Sequence, residues 1–299
     1  TNWLSNPNTP STSPSALFKI KEVDVQNGQF LLDDDQVKNE SSPKNFDISH
    51  FSLVQINSKV HNFYVFGDTI ALQTEGFRAI DPMTKFKVHR LDTKFLICEK
   101  QMRFDQVSLF FNQSWIGNKV TMDYKNFKSL KDWNRNVFMR ADFKGAKVRG
   151  EDLGRFVNAM YEYPGIYRLQ GKLAGTVTQL ALHKFSLGFG QKSLLRGDFS
   201  FKGLPKIDQT VMKFSMGSSV FQPNDLAIFI SAAAAQKMKI LGPVNFTGNF
   251  SGTNKDFTTS GILRTGLGII DAKVKMSLKD SMSISAYDGN LNLKKFKLG

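Results

Sequence analysis

Residue types that could perform catalysis or bind a metal are few and scattered in this chain of 299 residues. The histidines, His50, His61, His89 and His183, lack the spacing of a metal site and have no cysteine or aspartate motif beside them. We expect them at the surface or at strand edges. The run Asp33–Asp35 lacks the glycine and final glutamate of a calcium loop, which indicates a solvated loop. The sequence therefore predicts no catalytic residue, no cofactor and no metal site, and we expect a protein that is not an enzyme.

Cysteine content and charge exclude further kinds of site and partner. Cys98 is the single cysteine, which excludes an intrachain disulfide and a cysteine-based metal cluster. The net charge of +14 could attract nucleic acid, an anionic membrane or an acidic partner. The basic residues recur singly at every second position, as at Lys273 and Lys275, which is typical of a solvated sheet face. Without an RNA-binding aromatic motif, a zinc finger or a helix-turn-helix signature, nucleic acid is not an expected partner.

Alternation of apolar and polar residues with period 2 dominates the chain and predicts β-strands. Apolar residues alternate with Asp271, Lys273 and Lys275 in one such stretch. Between Phe104 and Val107 the apolar phase slips by one residue, which is typical of a β-bulge. Short polar turns between strands favour antiparallel pairing. The predicted fold class is all-β, an elongated repetitive antiparallel sheet.

A long sequence repeat occurs twice in the second half of the chain. EDLGRFV at 151–157 is matched by NDLAIFI at 224–230, and GKLAGT at 171–176 is matched by GNFSGT at 248–253. Such a period predicts one supersecondary unit stacked on copies of itself. We expect a linker or frayed end over 1–15, N-terminal sheet strands over 16–125, and one repeat each over 126–223 and 224–299.

Short helices are predicted to interrupt the sheet. Apolar residues at i, i+3, i+4 and i+7 predict the first helix near 151–160. The second is predicted near 224–238, with Asn224 as its N-cap and Gly242-Pro243 as its end. A weaker third copy is predicted over 127–134.

One face of the predicted sheet is continuously apolar and carries glycines such as Gly171 and Gly248 at equivalent repeat positions. Strand glycines weaken a sheet unless a bend or a close approach requires them, so we expect the sheet to curl there. A closed sandwich or barrel core would also give an apolar face, but this face continues from repeat to repeat without polar network residues. We therefore predict an open hydrophobic groove, or β-taco. Its predicted lipid-facing residues are Leu173, Val177, Phe246, Phe250, Leu263, Ile270, Val274 and Met276, and the predicted outward residues are Lys172, Asn249, Lys273 and Lys275.

A continuous apolar trough suits acyl chains, because lipid tails need shielding from water and no specific contacts. Each shielded methylene contributes about 0.8 kcal/mol. The predicted ligands are therefore the acyl chains of lipids.

The residues that carry the repeat resemble a known family. DLGRFV followed by LQGKLAGTVTQL, and PNDLAIFI followed by VNFTGNFSGT, are similar to the TamB-like members of the AsmA group of bacterial envelope proteins, in the style of Bacteroidota. The resemblance covers roughly 120–299 and rests on the recurrence of these motifs in the same order.

The resemblance implies a periplasmic protein, attached to the inner membrane by an anchor that this chain does not show. It also implies a C-terminal partner, an outer-membrane barrel protein of the TamA or BamA type. The expected function is a non-enzymatic bridge that conducts phospholipid between the inner and outer membranes. The alternative is a scaffold of a translocation and assembly module, in which strand edges receive an outer-membrane protein by β-augmentation. A β-solenoid enzyme acting on polysaccharide would need shorter rungs and clustered catalytic residues, which the sequence does not show.

Overall fold

A computed structural model describes residues 18–36, 38–40, 42–47, 49–229, 232–278 and 286–297. The predicted linker over 1–15 lies outside the described residues. The chain divides into two compact units, Thr1–Tyr161 and Glu162–Gly299. The boundaries predicted at 125 and 223, between copies of the repeat, stay predictions.

The first unit contains seven strands, each antiparallel to the next along the chain. The 3-10 helix Phe127–Asp132 and α1 (Trp133–Asn136) precede the last of these strands, and α2 (Gly150–Gly154) follows it, before the 3-10 helix Asn158–Glu162. The strands are β1 (Phe18–Asp33), β2 (His50–Phe66), β3 (Thr69–Ile80), β4 (Lys87–Cys98), β5 (Gln101–Phe111), β6 (Ser114–Asp123) and β7 (Phe138–Arg149).

The second unit contains eight strands, again paired antiparallel in chain order. Its helical segments are α3 (Ala232–Met238) and the 3-10 helices Ile207–Gln209, Asp225–Ile228 and Lys239–Leu241. The strands are β8 (Ile166–Thr176), β9 (Gln179–Phe189), β10 (Ser193–Lys202), β11 (Val211–Phe221), β12 (Val244–Gly252), β13 (Asp256–Arg264), β14 (Ile269–Ser277) and β15 (Ala286–Lys294).

The predicted fold class is confirmed, because the chain is all-β and its strands form an open antiparallel sheet. Within the described residues, the first strand of each unit does not pair with the last strand of that unit, so neither unit closes into a barrel. Sequential strands joined by short turns give this simple order, and the period-2 alternation then places every second side chain on one face.

The predicted β-bulge between Phe104 and Val107 is also confirmed. The pairing of β5 with β6 shifts register between these two residues, where Gln106 has a φ of 55°. The extra residue returns the apolar side chains to one face, with Phe104 opposite Val120 and Val107 opposite Asn118.

The helices lie where the sequence predicts them, but they are shorter and broken. The segment near 151–160 contains α2 and a 3-10 helix, and the segment near 224–238 contains a 3-10 helix and α3. The last 3-10 helix of this segment ends at Leu241, and Gly242 follows it with a φ of 62°. The helical segment therefore ends at Gly242-Pro243, as predicted. Asn224 occupies the N-cap position, as predicted, but its backbone is already helical and its side chain makes no capping hydrogen bond. The neighbouring Asp225 instead uses its carboxylate to hold a distant turn.

The first unit buries side chains on both faces of its sheet. Leu96, Ala71 and Cys98 form a buried cluster with Tyr64, on the face opposite Phe95. Burial raises the pKa of the Tyr64 phenol. A simple division into an apolar inner face and a solvated outer face therefore does not hold across this unit.

Candidate functional site

A row of apolar side chains crosses the second unit from strand to strand. The pairing register places Leu173 opposite Leu182, Leu182 opposite Phe199, Phe199 opposite Phe214 and Phe214 opposite Phe250. The rings of Phe199 and Phe214 lie 5.2 Å apart, and those of Phe214 and Phe250 stack at 5.3 Å between centroids. Side chains directly opposite on neighbouring strands interact most strongly, so this central row ties five strands together through one apolar surface.

Burial at Phe199, near the middle of the central row, is consistent with a sheet that curls at this point. Phe199 is 4% exposed and the neighbouring Phe185 is 8% exposed. The two rings meet edge to face at 6.4 Å. No second sheet layer packs on these strands in the described part of the chain. Side chains on a single flat layer would stay open to water, so converging neighbours must supply this burial.

The apolar surface continues beyond Phe250 to the later strands. Thr259 lies opposite both Phe250 and Val274, and its hydroxyl donates a hydrogen bond to the carbonyl of Asn249 at 3.0 Å. This bond satisfies the one polar group of the row at that point. A parallel row places Leu263 between Phe246 and Ile270.

Seven of the eight predicted lipid-facing residues lie on strands with their side chains on this one face. They are Leu173, Phe246, Phe250, Leu263, Ile270, Val274 and Met276. Val177 lies in the turn between β8 and β9, at the end of the strands. The predicted outward residues Lys172, Asn249, Lys273 and Lys275 are all exposed on the opposite face. Whether the apolar face binds lipid stays a prediction.

Glycines let the two backbones approach beneath the Phe246 ring. Gly248 lies directly opposite Gly261 on the neighbouring strand. A Cβ atom at Gly248 would lie 2.2 Å from the carbonyl oxygen of Ser260 and 2.8 Å from the Phe246 ring. Only glycine fits at such a distance, which explains the glycines that the sequence places on the apolar face.

The first unit carries a similar apolar face. Phe95 lies opposite both Leu72 and Phe104, and Phe104 lies opposite Val120. The rings of Phe95 and Phe104 are 4.9 Å apart. The alternation that builds the face in the second unit therefore operates in the first as well.

The repeated Asp-Leu motif holds a hairpin turn at one end of each unit's strands. In the first unit, Asp152 accepts hydrogen bonds from the Ser114 hydroxyl at 2.5 Å and from the backbone N–H of Gln113 at 3.2 Å. The Ser114 hydroxyl in turn accepts a bond from the N–H of Arg149 at 2.9 Å. Asp152 thus fastens the turn between β5 and β6 to the segment after β7.

The second unit repeats this arrangement. Asp225 accepts bonds from the N–H groups of Gln191, Lys192 and Ser193 at 3.0, 3.1 and 3.0 Å, and from the Ser193 hydroxyl at 2.8 Å. Ser193 also accepts a bond from the N–H of Gln222 at 2.9 Å. Burial alone would raise the pKa of Asp225, but these bonds hold the pKa of the carboxyl below its ordinary value. We call these two arrangements the turn clasps.

The motif phenylalanines extend the apolar face over the clasped ends. Phe156 packs on Phe46 and Phe86, with ring centroids 5.6 and 5.5 Å apart. In the second unit, Phe229 meets Phe189 at 5.2 Å and stacks on Tyr163 at 5.5 Å. Sequence analysis finds the repeated motif but not its partners. The serines that bind the motif aspartates could have been found from the sequence, because each follows a short turn that begins at a phenylalanine.

One histidine departs from the surface position expected for it. His50 is buried at the start of β2, where Nδ1 lies 3.0 Å from the Asp47 carboxylate and Nε2 lies 3.1 Å from the carbonyl oxygen of Asp34. Burial alone would lower the pKa of His50, but these two partners raise it above its ordinary value. The arrangement anchors the loop between β1 and β2, and we assign it no reaction.

The described residues contain no group of three or more His, Cys, Asp or Glu side chains placed to hold a metal ion. No helix in the described ranges is both long and apolar enough to cross a membrane. No protein family, curated protein or solved structure matches this chain in the comparisons.

Proposed function

We propose that this protein is a non-enzymatic lipid conduit, in which the apolar face holds phospholipid acyl chains along a curled open sheet. The observation that carries the proposal is the central row, which continues from strand to strand without a charged residue from Leu173 to Val274. An acyl chain gains about 0.8 kcal/mol for each methylene removed from water. A face of this kind binds tails by extent of contact, with no need for specific polar contacts.

The resemblance of the repeat to TamB-like proteins supports a location for this activity. On that basis the conduit would lie in the periplasm, attached to the inner membrane in the full-length protein, and would pass phospholipid toward the outer membrane. The exposed lysines on the opposite face would keep that surface in water.

Photo-crosslinking at paired positions tests the proposal. A benzophenone amino acid at Phe250 or Val274 should give phospholipid adducts, because both side chains lie on the apolar face. The same probe at the neighbouring Asn249 or Lys275, whose side chains are exposed on the opposite face, is the matched control. Adducts would be identified by mass spectrometry after irradiation in cells. Lipid on the control positions, with none on the apolar positions, would contradict the proposal.

A second candidate function is a scaffold that receives an outer-membrane protein, with a barrel protein of the TamA or BamA type as its partner. Exposed apolar side chains on β15 favour it, because Tyr287 and Leu291 are 83% and 65% exposed. An exposed apolar surface of this kind can bind an extended segment of another protein. In the crosslinking experiment, protein adducts at Tyr287 and Leu291 without lipid adducts at Phe250 would favour the scaffold over the conduit.

A further inference from the structure

A row of basic and aromatic side chains crosses the outward face of the first unit. Arg90 lies opposite Phe110, Phe110 lies opposite Trp115, and Trp115 lies opposite Lys147. Arg78 on β3 faces the bulge at His89 and Arg90, where the pairing of β3 with β4 changes register. This row, from Arg78 to Lys147, is the outer row.

Aromatic side chains form the centre of the outer row. The His89 and Phe110 rings lie 5.0 Å apart with an angle of 32° between their planes. Phe110 is 43% exposed. The Trp115 indole lies across Gly117, where an added Cβ atom would come within 2.6 Å of the ring. The glycine therefore lets the indole lie flat along the sheet, with its N–H 3.5 Å from the Ser108 hydroxyl.

Two adjoining hollows open at the Arg78 end of the row, with volumes of about 350 and 600 Å³. Both are lined by Arg78 and Asn57. Lys87 lines the first, whereas Lys59 and Arg90 line the second.

Carboxylates are interspersed with these cations. Asp24 and Glu75 also line the second hollow. Arg90 holds Asp92 at 2.6 Å. The surface is therefore basic but carries acceptors as well as donors.

We propose that the outer row binds an acidic polysaccharide. Sugar rings have an apolar C–H face that packs on aromatic rings, and the adjacent side chains of Phe110 and Trp115 offer such a platform. The cations at Arg78 and Lys147 suit carboxylates spaced along a polymer. Glu75 accepts hydrogen bonds from sugar hydroxyls. A nucleic acid would bring its phosphates to the same cations, but a phosphodiester backbone has no hydroxyl to donate to the interspersed carboxylates, so nucleic acid is the competing outcome of the test.

The binding of a polygalacturonate oligosaccharide to the purified chain, measured by calorimetry, tests the inference. Maltohexaose serves as the neutral probe and a thymidine 20-mer as the nucleic-acid probe. We expect binding to the acidic oligosaccharide that weakens with salt, since exposed charges are screened over about 8–10 Å at physiological salt. Trp115→Ala and Arg78→Ala should each weaken this binding about tenfold, the effect of losing about 1.4 kcal/mol. Lys275→Ala, which removes one exposed cation from the second unit, should leave it unchanged.

Trp115→Phe keeps a ring over Gly117 and should retain most of the binding if the ring is the platform, even where the alanine variant folds poorly. Absence of binding, equal binding of maltohexaose, tighter binding of the thymidine 20-mer, or an equal loss in Lys275→Ala would each overturn the inference. The lipid content of these variants should stay normal, so this result is separate from that of the conduit.

Discussion

At the scale of single residues, the most informative groups are the aspartates of the turn clasps. Asp152 and Asp225 begin the repeated motif, and each accepts a bond from a serine hydroxyl and from at least one backbone N–H of a hairpin turn. A carboxylate can accept several such bonds at once, whereas an amide of the same shape offers one oxygen. The motif is therefore repeated because the same turn must be held in each unit.

Asp225→Asn should lower the free energy of unfolding by about 1–3 kcal/mol at neutral pH, because bonds to a charged acceptor are replaced by weaker ones. Because the folded pKa of Asp225 is lowered, its contribution is complete above the unfolded value of about 3.9 and is lost as the pH falls through the folded pKa. The difference from the wild type should therefore shrink at pH 3. Urea unfolding at both pH values measures this.

The matched control for that experiment is Asp271→Asn, which changes an exposed carboxyl on the outward face of β14. It should leave the free energy of unfolding unchanged. A loss in Asp225→Asn that stays equal at both pH values would contradict the role assigned to the ionised carboxyl.

At the scale of strands and turns, the repeat corresponds to four strands. The clasped turns join β5 to β6 and β9 to β10, four strands further along the chain. The aspartate of each clasp lies in the segment after the strand that follows the clasped hairpin, which is β7 in the first unit and β11 in the second. Long connections at this end therefore pin the short turns beside them, which resists fraying of an open sheet at its strand ends.

Gly248→Ala should break the pairing of β12 with β13, because its methyl group would meet the Ser260 carbonyl oxygen at 2.2 Å. We expect faster hydrogen exchange at the amides of these two strands and a lower unfolding temperature. Gly217→Ala is the control, since nothing lies within 4 Å of its added Cβ atom. Equal exchange in the two variants would show that the close approach at Gly248 is not needed.

Local sequence patterns predict the strands, but they do not predict contacts between residues that are distant in the sequence. Period 2 is a property of neighbouring residues, so the apolar face and the bulge before Val107 were predictable. The bond from Ser114 to Asp152 spans 38 residues and depends on the strand register, which the sequence pattern does not specify. The buried Leu96 cluster on the outward face could not be predicted for a related reason, since its members come from three strands that the pattern does not align.

At the scale of the whole molecule, the proposed conduit holds lipid tails on an open apolar face. An open face tolerates a carboxylate that a closed core would not, because burying an unpaired charge costs several kcal/mol. Val274→Asp places a charge in the middle of β14 on the apolar face, and Phe250→Asp does the same on β12. Lys275→Asp puts the same carboxylate on the exposed face of β14 and is the control.

The most direct measurement is the amount of phospholipid that co-purifies with each variant, determined by mass spectrometry and compared with β-content from circular dichroism. The conduit predicts that Val274→Asp and Phe250→Asp keep the wild-type β-content and lose most of their lipid, whereas Lys275→Asp keeps both. A Val274→Asp protein with native β-content and undiminished phospholipid would contradict the account.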